Sequence, residues 1–516
     1  MLLQRIGNRG IRLGRMLERA AAKHPTNVVL LDHDLDIAPE LGRRVTVPEL
    51  ADLVDDFAAR LWAAGVRPGE RVVVHKSDGF DITLLALATA RIGAVPALLS
   101  PKLDGATVLA LVSRAERPHL VTDGAKITGL PAEVFDEAAS VLLTSGSHAG
   151  AVELRGLAGT PRVAPVDNPP DHPTLITHTS GTTGLPKLAV HTGQTLQARY
   201  RPQYLVTRPV LPRRETIAIH VSFVHSRLFT ALAISLYRGF SIVVMVDSDP
   251  GRAAELFVRV RPGILEAHPN SYMAWEELAD DPRGPLANVK LFSSTFDAIH
   301  PRTVHRLLHA SRRRLPLWGQ LYGQSEIGPT VVRGYTKRRS LDADGRCVGM
   351  AFPGMTGVRV VSRDGRPPSA DNPGYVEIRS DGRVVTYLGE QERYDGQLFD
   401  GWWRMGDVGY RTRWGCLHLL DREVDVIDGF GSTLSVEDTL FTRLPELAEV
   451  IIIPGVGGAV PVVCTKNDVP LSLAAWHAAV ADLPAMAEPV QLRHEELPQT
   501  ATTKIKRLEL ARRLAA

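Results

Sequence analysis

Residues Thr177–Leu188 read THTSGTTGLPKL, a short apolar strand end running into a turn of hydroxyls and glycines that closes on a Pro-Lys pair. Glycine lets backbone amides converge on an anion, and the hydroxyls of Ser180, Thr182 and Thr183 add further donors. A phosphate is the natural guest of such a turn. The loop is not a Walker A loop, which needs Gly-Lys followed by Ser or Thr opening a helix. Here Pro186 removes a backbone donor before Lys187, and Leu188 stands where that hydroxyl is required.

Around this loop, β-branched runs alternate with helical stretches. Arg71–His75, Val95–Leu99, Leu175–Thr177 and Ser241–Val246 read as strands, Phe80–Ile92 as a helix, and a further helix begins near Pro250. The alternation predicts an α/β protein with mostly parallel sheets. Its 516 residues suffice for more than one domain. A change of character after Asp421 predicts a large multi-subdomain N-terminal domain, Met1–Asp421, and a small α+β C-terminal domain, Arg422–Ala516. In that small domain Glu449–Ile453 and Val462–Cys464 read as strands and Ser472–Ala481 as a helix.

Composition excludes several classes. A net charge of +3 with arginines spread along the chain gives no nucleic-acid footprint. Three distant cysteines, Cys347, Cys416 and Cys464, lack metal-ligand spacing. The N-terminal MLLQRIGNRGIRLGRMLERAAAKHP has arginines at helical spacing and no continuous apolar core, so it predicts an amphipathic helix rather than a signal peptide. No apolar run reaches membrane-spanning length. A cytoplasmic protein with no nucleic-acid or membrane partner is expected.

The loop is joined by Tyr322–Glu326 (YGQSE), Trp403–Asp407 (WRMGD), Asp421–Arg422 (DR) and Pro498–Ile505 (PQTATTKI). In order and spacing this set resembles the acyl-adenylate-forming superfamily of acyl-CoA synthetases, nonribosomal peptide synthetase adenylation domains and luciferases. The resemblance runs over nearly the whole chain and implies an AMP-forming ligase that uses ATP and Mg²⁺, with a mobile small domain closing on the site. It implies that Ser180, Thr182, Thr183 and Lys187 grip the departing pyrophosphate and that Glu326 holds Mg²⁺, for which a carboxylate is a suitable hard ligand. It places Tyr322 against adenine, Ser325 at the α-phosphate, Asp407 on the ribose hydroxyls and Arg422 at ribose or phosphate. Lys504 would reach in from the small domain and neutralise charge as a carboxylate attacks the α-phosphorus.

The sequence departs from the family at Leu188, usually glycine, and at Val424, the hinge position usually occupied by Asp or Lys. It departs again at Val436 and Leu440, where proline and glutamate are usual. These changes spare adenylation and weaken the expectation of transfer to CoA or a carrier thiol. In the acyl pocket, His225 matches a family histidine, while Arg227, Phe296 and Asp297 replace smaller or aromatic residues. Arg227 could meet a carboxylate and Asp297 an amine. The substrate is thus expected to be a small aromatic or polar acid. A second reading is adenylation without thiolation, including ATP-dependent activation of nitrite that converts the aryl amine of an amino-substituted aromatic acid to a diazo group. A third is a non-catalytic nucleotide-binding sensor, against which stand Lys187, Glu326, Asp407, Arg422 and Lys504.

Overall fold

The computed structural model describes residues 10–179, 185–295, 299–341, 344–423, 426–427, 430–455, 458–499 and 505–515. Its architecture is α/β. Two large sheets and one small sheet organise the described residues, with fourteen, eight and three strands.

In the eight-stranded sheet, Arg71–Val74, Val95–Leu98, His119–Thr122 and Ser140–Leu143 pair in parallel, as their apolar runs predict. Strand Pro173–His178 joins the parallel set and then turns back antiparallel into Leu188–Thr192. The loop between these two strands is the one quoted above. Its two ends are tied together: Thr179 N–H donates to the Lys187 carbonyl at 2.9 Å, and Lys187 N–H to Thr179 Oγ1 at 3.3 Å.

The fourteen-stranded sheet has two characters. A parallel centre runs through Val28–Leu31, Ser241–Val244, Thr216–His220, Ile264–Ala267, Leu291–Ser294 and Leu317–Gln324. From Leu317–Gln324 onward the pairing becomes antiparallel, through Gly328–Thr336, Cys347–Ala351, Leu417–Arg422, Trp402–Arg411 and Gly374–Ser380. Strand Leu317–Gln324 is therefore the seam, and the YGQSE motif sits at its end.

After Ile427 the described residues pack into cores of their own. Strand Leu447–Gly455 is buried on both faces. Val450 and Ile452 pack with Leu440 and Trp476, while Ile451 and Ile453 pack with Val462 and Leu510. This is the two-residue alternation of a strand covered on each side. At the other end of the chain, the described part of the expected amphipathic segment is α-helical over Met16–Lys23, preceded by a 3-10 turn at Leu13–Arg15. Gly14 approaches the Arg91 backbone so closely that a Cβ there would lie 2.4 Å from Arg91 Cα. Ile11 N–H instead donates to the Gly193 carbonyl at 2.8 Å.

Leu188 finds a physical role here. Its side chain is 1% exposed and packs with Val73, Ile176 and Val190, while its carbonyl accepts from Leu388 N–H at 2.8 Å. Leu440 and Val436 are likewise buried in the small core. These departures from the family pattern fill apolar space. Replacing Leu188 by Ala is expected to lower unfolding free energy by about 2–5 kcal/mol, the range for deleting a buried leucine side chain. Urea denaturation checks this, and a loss below about 1 kcal/mol would show that the site collapses freely around the smaller residue.

Candidate nucleotide and aryl-substrate site

The hairpin that follows the seam strand carries Ser325 and Glu326 between Leu317–Gln324 and Gly328–Thr336. Its crowding demands glycine at two places. A Cβ on Gly323 would lie 1.9 Å from the Gly328 carbonyl oxygen. Gly328 has φ +73°, and its Cβ would lie 2.8 Å from Arg199 Cδ.

Arg199, on helix Gly193–Val210, explains this crowding. Its guanidinium donates to the carbonyls of Ser325 and Glu326, each at 3.0 Å, to the Gly382 carbonyl at 2.6 Å and to Ser226 Oγ at 2.9 Å. Burial pushes its pKa down to about 9, against the attraction of Glu326, so it remains cationic at neutral pH. Sequence reading did not single it out, although the signal was present. Leu196, Arg199 and Gln203 stand at helical spacing on one face, and that face is buried.

Glu326 is 7% exposed. Its Oε1 accepts from the Tyr387 hydroxyl at 2.6 Å and lies 3.4 Å from Lys187 Nζ, which itself donates to the Tyr387 oxygen at 3.0 Å. Strand Thr386–Tyr387 pairs with Leu188–Thr192, which brings this tyrosine beside Lys187. Burial and the Glu326 charge raise the Tyr387 pKa far above its ordinary value, so it is a fixed donor. Oε2 of Glu326 accepts no hydrogen bond among the described residues. No cluster of three or more potential metal ligands occurs among them either. One free carboxylate oxygen suits Mg²⁺, which commonly takes one or two carboxylates and completes its shell with phosphate and water.

The residues expected on the nucleoside side also converge. Asp407 and Arg422 face each other across strands Trp402–Arg411 and Leu417–Arg422, with Arg422 Nε 3.6 Å from Asp407 Oδ1. The Tyr322 hydroxyl donates to Asp407 Oδ2. Burial first, then the Asp407 charge, raises the Tyr322 pKa well above normal.

His225 caps helix Ser226–Arg238. Its Nδ1 accepts from Arg227 N–H at 3.1 Å, which leaves the proton on Nε2, 3.1 Å from Ser325 Oγ. Arg227 turns the other way, into a cavity of about 160 Å³. There it is 5% exposed and pairs through two nitrogens with the Glu266 carboxylate, while Nη1 donates to Gln203 Oε1. Its positive charge is therefore already matched inside the protein. Among the expected site residues, Ser180, Thr182, Thr183, Phe296, Asp297, Val424 and Lys504 lie outside the described residues. Lys187, Tyr322, Ser325, Glu326, Asp407, Arg422, His225 and Arg227 are described. Tyr322, Ser325 and Glu326 share the seam strand and its hairpin; Lys187, Asp407 and His225 each contact one of them, Arg422 lies beside Asp407, and Arg227 neighbours His225.

Where the chain passes out of this site, Asp421 is buried and accepts from Thr433 N–H at 3.1 Å and from its hydroxyl. Burial and nearby Glu437 lift its carboxyl to about 7. Asp438, half-buried beside Glu437 and Asp344, is also lifted to about 7.

Three comparisons with known proteins bear on this geometry. Residues 17–388 match the model of the AMP-binding enzyme family. The chain is 49% identical to 3-amino-2-hydroxy-4-methoxybenzoate diazotase of Streptomyces cremeus, over 99% of this chain and 97% of that protein. It is 26% identical to 3-aminoavenalumate diazotase of a Streptomyces species, over 79% of this chain and 74% of that one. Among solved structures, an anthranilate CoA ligase in complex with anthranoyl-AMP superposes with a TM-score of 0.81 at 18% identity. That match covers 98% of this chain and 97% of that one. No helix among the described residues is long and apolar enough to cross a membrane.

Two outcomes follow from the geometry. Arg199→Met strands three buried carbonyls and is expected to cost about 3–5 kcal/mol of stability, as for breaking a buried charged network, measured by chemical denaturation. Asp421 has a folded-state pKa above the unfolded value. Its neutral form therefore contributes fully below about pH 4, and that contribution is lost as pH rises through 7. Melting temperature is expected to fall between pH 5 and pH 8. Asp421→Asn is expected to flatten the fall, leaving the part that Asp438 supplies in the same window.

Proposed function

The chain belongs to the AMP-binding enzyme family, and from that premise we propose that it uses ATP and nitrite to convert the amine of an amino- and hydroxy-substituted aromatic acid to a diazo group. Adenylation with release of pyrophosphate is the chemistry of the fold. The group adenylated is read here as nitrite. Near-full-length 49% identity with an aminobenzoate diazotase is the observation that carries this reading.

The steps balance as follows. A nitrite oxygen attacks the α-phosphorus of ATP, pyrophosphate leaves, and a nitrite–AMP mixed anhydride forms. The aryl amine nitrogen attacks the nitroso nitrogen, AMP departs with its bridging oxygen, and the N-nitroso amine takes up a proton and loses water to give the diazonium. Nitrite and triphosphate are both anions, so cations must supply much of the catalysis. Lys187 stands at the pyrophosphate end of the loop, and Arg422 stands beside Asp407 on the ribose side. Lys504, on the small C-terminal unit after Asp421, is assigned to the transferring oxygens. Glu326 would hold Mg²⁺, which neutralises phosphate charge when bound. Tyr387 and Lys187 hold the Glu326 carboxylate in place before nucleotide arrives. His225, with its proton on Nε2, donates toward Ser325 and fixes that hydroxyl for the α-phosphate.

Incubation with ATP, Mg²⁺ and 3-amino-2-hydroxybenzoate, with nitrite or CoA added separately, tests the reading by product mass. A diazo product with stoichiometric AMP only in the nitrite arm is expected, and a CoA thioester without any nitrite requirement would overturn it. Lys504→Ala is expected to lower AMP formation about 100-fold or more, the scale for losing one group that stabilises a transition-state anion.

A further inference from the structure

The cavity that Arg227 enters is walled by Ile217, Trp318 and Phe352; Thr207, Ser235 and Ser293 also line it, and its charged groups are Arg227 and Glu266, joined with Gln203 in one cluster. At about 160 Å³ it is the size of a single aromatic ring, since an apolar cavity of about 150 Å³ accepts benzene. The cluster is rigid at each joint. Gln203 Nε2 donates to the Arg199 carbonyl at 2.7 Å, which fixes its amide with Oε1 toward Arg227. Arg227 in turn clamps both oxygens of Glu266, with Nη2 2.7 Å from Oε2. Glu266 is 3% exposed and sits mid-strand in Ile264–Ala267.

Charge decides what such a cluster accepts. One guanidinium and one carboxylate sum to zero, so an incoming anion meets no net attraction and would leave the site with an uncompensated buried charge. A neutral hydroxyl or amine meets both kinds of partner. Each Glu266 oxygen retains acceptor capacity beyond its bond to Arg227, and the guanidinium has five N–H donors, of which three are engaged among the described residues. A ring hydroxyl or amine would use this residual capacity, and an unsubstituted ring would not.

We propose that Glu266, clamped by Arg227 and Gln203, is a net-neutral polar post that selects aromatic substrates carrying a neutral hydroxyl or amino group and turns a carboxylate away from the inner end of the cavity. Arg227 is thus a positioning residue for Glu266 and not the receptor for the substrate's carboxylate. The proposal rests on the reading above that an aromatic acid is the substrate, and it adds which ring substituents are read and by which atoms.

The test is equilibrium binding by calorimetry to the full-length protein with AMP present and neither nitrite nor thiol, so that it is independent of which group is adenylated. The probes are 3- and 4-hydroxybenzoate, 3- and 4-aminobenzoate, benzoate, and the two dicarboxylates isophthalate and terephthalate. Wild type is expected to bind the better hydroxy or amino acid about tenfold or more tightly than benzoate or its matched dicarboxylate. Glu266→Gln exposes the guanidinium charge and is expected to tighten the matched dicarboxylate about tenfold or more. Arg227→Met/Glu266→Leu, which replaces the pair by apolar groups, is expected to abolish the preference and keeps the question answerable if the single variant misfolds. Equal wild-type affinity for benzoate and its hydroxy and amino derivatives would overturn the proposal, as would a folded Glu266→Gln variant that rejects dicarboxylates as wild type does. Substituent selectivity without any nitrite-dependent product would overturn the diazotisation reading and leave the post standing. A diazo product without substituent selectivity would do the reverse.

Discussion

A single buried arginine holds the site together. Arg199 reaches from helix Gly193–Val210 to the backbone of Ser325 and Glu326, to Gly382 and to the first residue of helix Ser226–Arg238. Those contacts set the hairpin that presents Ser325 and Glu326. They also set the helix that His225 caps, and through the Arg199 carbonyl they anchor Gln203 at the ring-sized cavity. Burying a cation is costly unless its donors are met. Here four oxygens meet them, and the glycines at 328 and 382 leave the room that the side chain needs. One charge therefore positions both the hairpin of Ser325 and Glu326 and the Gln203 wall of the cavity.

Much of this was legible in the sequence because it is carried by local pattern. Arg71–Val74 and Ser241–Val244 are strands because β-branched residues crowd there, and Val95–Leu98 (VPAL) is legible as a short apolar run. Tyr322, Ser325, Glu326, Asp407 and Arg422 were identifiable as a set because their motifs occur in order. The rest depended on contacts distant in sequence. Nothing local announces that Tyr387 would donate to Glu326, since strand Thr386–Tyr387 reaches it only by pairing with Leu188–Thr192. Glu266 reads as one acid in an apolar strand until Arg227, from a helix 39 residues earlier, is seen to clamp it. Arg227 itself was expected to greet a substrate carboxylate, and the clamp explains why its charge is not available for that.

The departures from the family pattern divide in the same way. Leu188 and Leu440 sit in apolar cores, where they contribute packing. Arg227, which departs from the family pattern, instead forms a buried charge pair with Glu266 at the ring-sized cavity. The residues assigned to ATP keep the pattern of the superfamily.

The central claim is that nitrite is the group that receives AMP, and the bridging oxygen records which nucleophile attacked phosphorus. With ¹⁸O-labelled nitrite, ATP and an unlabelled amino-hydroxybenzoate, mass analysis of the AMP tests the claim directly. One nitrite-derived ¹⁸O in the AMP phosphate is the predicted result. AMP that is unlabelled from nitrite, yet carries ¹⁸O when the aromatic carboxylate is the labelled partner, would contradict it.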